Sequence, residues 1–408
     1  MAARTAMAEP GVQGDDGGFT LHAPEGTSYR VDIANGVFAA DNPLLAEYCE
    51  GRRVVVFLGP TVNRLYGDQV RRYLTARLAS DGWKVVVIGG GEERKTMDSI
   101  EEICAHAKAA GLDRQGVMLA IGGGVTCDLV GFAAAIYCRG VRYIKVNTTL
   151  VGQVDVGVGI KTGVNALGTK NMLGAYHPAH ASINDPAFLD TLSPRQIRCG
   201  LGEIAKMAII KDSWLFRALE ECPEVFRRPC PTPFWLTAQG LAPRGVEDYV
   251  LRTAMALMLE ELCPNLREHD LARLVDFGHT FGPVIETASN YRIAHGESVA
   301  IDMAISSELA RVLGLITAED CERIIRLIIT LGLPVHDPQT CTAELMDRAL
   351  TASWERRGRR LHLVVPSGIG SAVFVDDLED APSSAVAEAL EALAARRADL
   401  PGPVMASR

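Results

Sequence analysis

Three side chains in the second half of the chain have the chemistry of a metal site. His279 sits in Asp276-Phe277-Gly278-His279-Thr280-Phe281-Gly282-Pro283, and His295 opens His295-Gly296-Glu297. Glu203 lies on a run whose apolar face is marked by Ile197, Leu201, Ile204, Ala205, Ala208 and Ile209, with Lys206 three residues further on the same face. Two imidazoles and one carboxylate make an open zinc site that leaves room for substrate oxygens. The bland alternative is that each histidine is a satisfied core residue, and histidines sixteen apart are weak on their own. Each one is flanked by glycine, however, which leaves space for something to approach.

A second concentration of polar residues runs from Arg139 to Asn171. It holds Arg139-Gly140, Asn147-Thr148-Thr149-Leu150, Gln153-Val154-Asp155, Lys161-Thr162-Gly163-Val164-Asn165 and Gly168-Thr169-Lys170-Asn171. Lysines and an arginine this close together suit a phosphorylated substrate. The alternative, ordinary charged surface loops, fits poorly with the apolar residues between them. Upstream, Gly122-Gly123-Gly124 follows one apolar run and precedes a helical one, a place where a backbone can approach a pyrophosphate. Cys127 occupies the third glycine position of the usual dinucleotide fingerprint, so a tight packing turn is an equal reading. In Gly91-Glu92-Glu93-Arg94-Lys95, Glu92 could meet a ribose and Lys95 a phosphate, but taken alone this is better read as a solvated charged loop.

These residues need a frame. Val54–Leu58, Lys84–Ile88, Val117–Ile121 and Tyr143–Val146 are continuous apolar runs, as expected of strands buried on both faces. Helical stretches lie between them at Tyr66–Ser80, Thr96–Ala110 and Cys127–Tyr137. That alternation predicts a parallel sheet of nucleotide-binding type. The character changes near Thr191-Leu192-Ser193-Pro194, beyond which helical periodicity dominates, with further helices at Val299–Leu313, Cys321–Leu331 and Ala385–Ala395. Arg228–Gly245, with four prolines, reads as an irregular excursion, and Leu361–Pro366 as a late strand. The expected organisation is a disordered lead-in over 1–18, an α/β nucleotide-binding domain over 19–190, a mainly α-helical metal- and substrate-binding domain over 191–400, and a tail over 401–408. No internal repeat is visible.

Composition excludes several classes. The 408 residues carry a net charge of −9, which gives a nucleic-acid partner no electrostatic footprint. No apolar run approaches the ~18 residues of a membrane span. The N-terminus lacks a basic head with an apolar stretch, so no secretory leader is expected. Ten cysteines without a CxxC pair suit a reducing cytosol with every thiol free.

Taken together, GGGVTCDLVGFAAA, RGVRYIKVNTTLVGQVD, KTGVN, GTKNMLGA, GEIAK, GHTF and HGE occur in the order found in the dehydroquinate synthase superfamily of sugar-phosphate cyclases, which this chain resembles over most of its length. The resemblance implies an N-terminal NAD domain, a helical C-terminal domain, a zinc (or cobalt) ion between them, and a homodimer acting on a small sugar phosphate. It puts metal on Glu203, His279 and His295. It puts NAD near Glu92, Lys95, Gly123, Gly124, Asp128, Thr148, Thr149, Lys161, Lys170, Phe188 and Thr191. Substrate would meet Arg139, Asp155, Asn171, Lys206, Asp276 and His279, with Lys161, Glu268, Asp155 and Lys206 in catalytic roles.

The departures bear on the substrate. Dehydroquinate synthases have Asn, Arg, His and Lys where this chain has Asp276, Ala272, Pro283 and Met258. The lost Arg and Lys are cations that would hold a substrate carboxylate, and a buried carboxylate without a partner costs several kcal/mol. Arg273, one position away, could partly compensate. The run MLEELCPNLREHDLARLVDFGHTFGP resembles the 2-epi-5-epi-valiolone synthases, whose substrate, sedoheptulose 7-phosphate, has no carboxylate. The resemblance implies transient oxidation by NAD, β-elimination of phosphate, re-reduction and intramolecular aldol closure. Gly59 stands where the superfamily often has an Asp for the adenosine ribose. The alternatives are dehydroquinate synthase, a cyclase forming another epimer or a deoxygadusol, an NAD- and metal-dependent polyol dehydrogenase, and an inactive NAD-binding regulator.

Overall fold

The computed structural model describes residues 9–396, which fall into two compact units: 9–192 with 258–267, and 193–257 with 268–396. The first unit is built on an eight-stranded sheet. Its strands are β1 (Gly11–Asp15), β2 (Gly18–His22), β3 (Ser28–Ile33), β4 (Val54–Leu58), β5 (Trp83–Val87), β6 (Val117–Gly122), β7 (Arg142–Asn147) and β10 (Ala181–Asn184), in the order β1-β2-β3-β10-β7-β6-β4-β5. From β3 to β5 every pairing is parallel, while β1–β2 and β2–β3 are antiparallel. A separate hairpin joins β8 (Lys161–Ala166) to β9 (Thr169–Tyr176).

Three of the four apolar runs, β4, β6 and β7, are strands covered on both faces, whereas β5 lies at the sheet edge with only Val86 buried, which corrects the expectation for Lys84–Ile88. Val55, Phe57, Met118 and Ala120 point into one core, which includes residues of α3 (Met97–Ala109) and α4 (Gly124–Ile136). Val54, Val56, Leu58, Val117, Leu119 and Ile121 point into the other, with residues of α1 (Leu44–Cys49) and α2 (Pro60–Arg77). Successive strand residues face opposite ways, so only an unbroken apolar run satisfies both cores. The chain steps outward from β4 to β5 and then returns to place β6 on the other side of β4. The strand order therefore reverses between β4 and β6, and ligands of such sheets bind beyond the strand C-termini at that point.

The expected disordered lead-in is corrected over 11–18. Asp16-Gly17 turns a hairpin between β1 and β2 with Asp15 opposite Gly18, and Arg30 on β3 clamps Asp15 at 2.9 Å. An Asp-Gly pair flanked by strand-forming residues is a hairpin signal that composition alone hides. Residues 1–8 and the expected 401–408 tail lie outside the described residues. Helix α2 starts at Pro60, ahead of the expected Tyr66, because Pro is well tolerated in the first turn.

The second unit is mainly helical: α5 (Pro194–Lys211), α6 (Ser213–Glu221), α7 (Phe234–Ala238), most of α8 (Val246–Leu262), α9 (Gly282–Ala288), α10 (His295–Val312), α11 (Ala318–Thr330), α12 (Ala343–Arg356) and α13 (Ser383–Ala395), with the hairpin β11 (Leu363–Gly368)–β12 (Ser371–Val375). Ser193 and Gln196 form a reciprocal cap at the start of α5, with Pro194 at its first position. The excursion over 228–245 contains α7, and its Cys230 is disulfide-bonded to Cys222, just past the end of α6. That bridge corrects the expectation that every thiol is free. The two cysteines are eight residues apart, a spacing unlike CxxC, and the loop between them folds back to bring their Cα atoms within 6.2 Å.

Candidate active site

In the second unit, α5 and α10 meet where both carry glycine. A Cβ on Gly296 would lie 2.2 Å from the Cys199 carbonyl oxygen, and one on Gly202 would lie 2.8 Å from the Gly296 carbonyl oxygen. The helices touch backbone to backbone, and the next residue on each, Glu203 and the preceding His295, is thereby brought together. The glycine beside His295 thus makes room for a helix and not for a ligand, contrary to the expectation from sequence. Gly278 behaves similarly: it has φ +80°, and a Cβ there would meet Val299 Cγ1 at 2.7 Å. Outside the crossing, Arg195 of α5 grips Glu297 of α10 at 2.7 and 2.6 Å.

Glu203, His279 and His295 form one cluster whose ligand atoms all lie within 4.8 Å of one another. His295 Nε2 is 3.3 Å from Glu203 Oε1, and the two imidazole centres are 5.4 Å apart. The nitrogens facing away from the cluster are occupied. His279 Nδ1 lies 3.0 Å from the Phe277 carbonyl oxygen, and His295 Nδ1 lies 3.2 Å from Glu286 Oε2. Such outer partners fix ring orientation and tautomer, leaving each Nε2 for a metal. Both Glu203 oxygens are fully buried, with Oε1 facing His295 Nε2 and Oε2 facing Lys206 Nζ. A buried carboxylate in that state, beside two oriented imidazoles, fits a divalent cation of the zinc type.

Electrostatics keep the set ready. Desolvation, with Lys206 adding to it, lowers the His279 pKa to about 3, so the ring is neutral at pH 7. Burial alone would raise the Glu203 carboxyl, but Lys206 and the two imidazoles outweigh it and hold it well below the usual range. Lys206 Nζ is 2.7 Å from Glu203 Oε2, and its side chain is almost fully buried. Lys206, expected to meet substrate, is therefore first of all the counter-charge of the Glu203 carboxylate.

Asp276 is bidentate with Arg273 at 2.7 and 2.8 Å, and Arg357 adds a contact of 2.7 Å. Glu268 is ion-paired to Arg273 as well. Arg273 is thus committed to two carboxylates and does not stand in for the missing cation. Glu268 is held as a partner of arginine, and Asp276 as a doubly clamped anchor.

In the first unit, β6 ends at Gly122 and α4 begins at Gly124 with no side-chain cap, so its first N–H groups point past the sheet. A Cβ on Gly123 would meet Thr149 Cγ2 at 2.9 Å. Thr148 N donates to the Gly122 carbonyl oxygen and Gly152 N to Thr149 Oγ1, which ties the threonine pair to this turn. Lys95, read from sequence as a solvated loop residue, is instead buried, 2.5 Å from both Asp128 Oδ2 and Asn171 Oδ1. Asn165 Nδ2 donates to Glu92 Oε1 at 2.9 Å. The loop after β5, helix α4 and the β8–β9 hairpin are therefore laced together through expected site residues. Lys161 is exposed and Lys170 half-buried on that hairpin. Phe188 packs on Tyr66, whose hydroxyl is 2.7 Å from Thr191 Oγ1. Asp155 lies in a π-helical turn, Gly152–Val156. Arg139 is not brought to this group: it is exposed beyond the C-terminal end of α4, whose 13 residues span roughly 20 Å.

Three supporting residues escaped the sequence reading. Glu286 holds His295, as above. Asp302 binds the segment after His279. Lys145, buried on β7, donates to the Val156 and Gly159 carbonyl oxygens at 2.7 and 2.8 Å and so holds the turn that carries Asp155. Each is a lone charge within an apolar run (PVIET, VAIDMAI, YIKV), and that was the available signal.

This arrangement is that of a known family. The description "3-dehydroquinate synthase N-terminal" matches residues 85–199 and "3-dehydroquinate synthase C-terminal" matches residues 200–352. The chain belongs to the 3-dehydroquinate synthase family. Within it, the chain is 64% identical to a 2-epi-5-epi-valiolone synthase of Streptomyces glaucescens over 94% of this chain and 96% of that protein. It is 38% identical to a 3-dehydroquinate synthase of Synechococcus sp. (strain CC9605), over 87% and 93% of the two chains. Among solved structures, ValA, a 2-epi-5-epi-valiolone synthase from Streptomyces hygroscopicus subsp. jinggangensis 5008 with NAD+ and Zn2+ bound, matches with a TM-score of 0.81 and 41% identity, covering 91% of this chain and 98% of that one.

Proposed function

We propose that this protein is a phosphate-eliminating cyclase that converts sedoheptulose 7-phosphate to 2-epi-5-epi-valiolone, using NAD and zinc. The observation that carries the reading is the 64% identity to the Streptomyces glaucescens enzyme across nearly the whole of both chains. The clamped Asp276 supports it, because Arg273 and Arg357 are neutralised where a carboxylate substrate would want a free cation. The reaction is transient oxidation, β-elimination of phosphate, re-reduction and aldol closure, with no net redox change.

When bound, the metal supplies polarisation of a substrate hydroxyl, and NAD supplies a reversible hydride acceptor. Glu203, His279 and His295 would hold the metal through one carboxylate and two Nε2 atoms. The uncapped start of α4 at Gly124, with Gly123 beside it, would receive the pyrophosphate of NAD. Glu92, Lys95, Asp128, Thr148, Thr149, Phe188 and Thr191 complete that reading of the NAD site. Lys161, Lys170 and Asn171 offer donors to phosphate groups. Asp155 is the carboxylate proposed for substrate hydroxyls, and Lys206 keeps positive charge beside Glu203. The work of these residues is positioning and charge stabilisation. Arg139 remains a proposed substrate contact, one that its place in a single chain does not support. We assign the protein to the cytosol as a homodimer and to the opening step of an aminocyclitol antibiotic pathway. No helix among the described residues is long and apolar enough to cross a membrane.

The test is incubation of metal-loaded protein with sedoheptulose 7-phosphate and catalytic NAD+. Release of phosphate without NADH accumulation, with a C7 cyclitol identified by NMR, is the expected result. Stoichiometric NADH would point to a dehydrogenase. Turnover of the dehydroquinate synthase substrate in place of the heptulose phosphate would overturn the substrate assignment.

A further inference from the structure

Asp302 lies on α10, seven residues beyond His295, which is two helical turns or about 10.5 Å along the same face. Its side chain is fully buried. One oxygen, Oδ2, accepts three consecutive main-chain N–H groups: Thr280 at 2.8 Å, Phe281 at 2.6 Å and Gly282 at 2.8 Å. The other, Oδ1, accepts from Ser306 Oγ at 2.9 Å. These three amides immediately follow His279. On the other side, His279 N donates to the Asp276 carbonyl oxygen at 2.9 Å, and Gly278 packs on Val299 of the same helix. His279 is therefore strung between two anchors, and α10 supplies the second.

We propose that Asp302 is a positioning residue for the metal centre: through the 280–282 amides it fixes the His279 imidazole relative to His295, so that α10 carries one ligand and sets the distance to the other. Charge matters to this role. An ionised carboxylate makes stronger hydrogen bonds to N–H groups than a neutral acceptor does, and three donors converge on a single oxygen. A bare helix cap for α9 would explain one or two of these bonds. It does not require that the acceptor come from the helix bearing the other histidine. The inference rests on the metal reading of Glu203, His279 and His295.

The test uses the full-length protein stripped of metal, with Co2+ as the probe. Affinity is read by chelator competition and geometry by the visible absorption of bound Co2+. In the unsubstituted protein, one equivalent should bind with a low-symmetry spectrum. Asp302→Ala should bind roughly 10- to 100-fold more weakly, the range seen when outer-shell partners are lost, and with a changed spectrum. Asp302→Asn keeps one carbonyl oxygen but loses the charge, and should recover only part of the affinity. Ser306→Ala, which frees Oδ1 only, should weaken binding by a few-fold. Should Asp302→Ala fail to fold, the Asn and Ser306→Ala proteins decide alone. Affinity and spectrum identical to the unsubstituted protein in every folded variant would overturn the proposal. His279→Ala separates the two readings. If it binds Co2+ as the unsubstituted protein does, the ligand assignment itself is wrong, whatever Asp302 does.

Discussion

The two units build their candidate sites from opposite materials. At the end of β6 the first unit offers main-chain N–H groups and space, framed by Gly122 to Gly124. Around His279 the second unit offers buried ionisable side chains, each held by another: Glu203 by Lys206, His295 by Glu286, and the His279 segment by Asp302. A backbone site tolerates change everywhere except at the positions that must lack a Cβ. A side-chain site fails when any one charge loses its partner, because an unpaired buried charge costs far more than a surface one.

The largest expected effect is in the side-chain site. His279→Ala or Glu203→Ala should abolish metal content by elemental analysis and turnover together, while NAD binding by fluorescence titration stays. Loss of turnover with metal retained would place the ion elsewhere. Next comes Gly296→Ala, whose Cβ would run into the Cys199 backbone. Overpacking of this kind costs about 1–3 kcal/mol, so the thermal midpoint and metal affinity should fall together. An unchanged midpoint would contradict the backbone-to-backbone crossing. In the first unit, Gly123→Ala should weaken NAD about tenfold with metal content untouched, and Thr149→Ser should restore part of that loss by removing the methyl the new Cβ meets at 2.9 Å.

Smallest is the pH effect of Lys145, which is buried on β7. Burial lowers its pKa to about 8 from 10.5. Between those values the unfolded chain binds a proton that the folded chain does not, so this residue makes stability rise with pH across that window. The neutral amine can still donate to the Val156 and Gly159 carbonyl oxygens, so the turn should survive deprotonation. Lys145→Met leaves both carbonyls without that donor, at about 1–3 kcal/mol each if they stay buried. Denaturant midpoints at pH 7.5 and 10 should show the slope in the native protein and its loss in the variant.

The same contrast governs what could be read from sequence. The strands β4, β6 and β7 were plain because burial on both faces forces unbroken apolar runs. The metal triad came from residue type and from family resemblance, and the structure brings its three members together. What escaped was whatever depends on partners distant in sequence. Glu286 and Asp302 look like isolated acids until α9 and α10 are folded. Lys95 looked solvated because Asp128 and Asn171 lie 33 and 76 residues away. The first hairpin was missed by weighing glycine and acid content over the Asp16-Gly17 turn.

The Glu268–Arg273–Asp276–Arg357 quartet has a consequence for how substrate choice can evolve. Its two acids and two bases sum to zero, and all four side chains are largely buried. Exchanging Asp276 for the uncharged Asn that dehydroquinate synthases have at this place would leave two guanidiniums sharing one carboxylate. One unit of positive charge would be released at a stroke, with no new cation introduced anywhere. A lineage could thus cross between neutral and acidic substrates through a single acid that acts as a plug on charge already present, and the remaining cations could then be lost or gained at leisure.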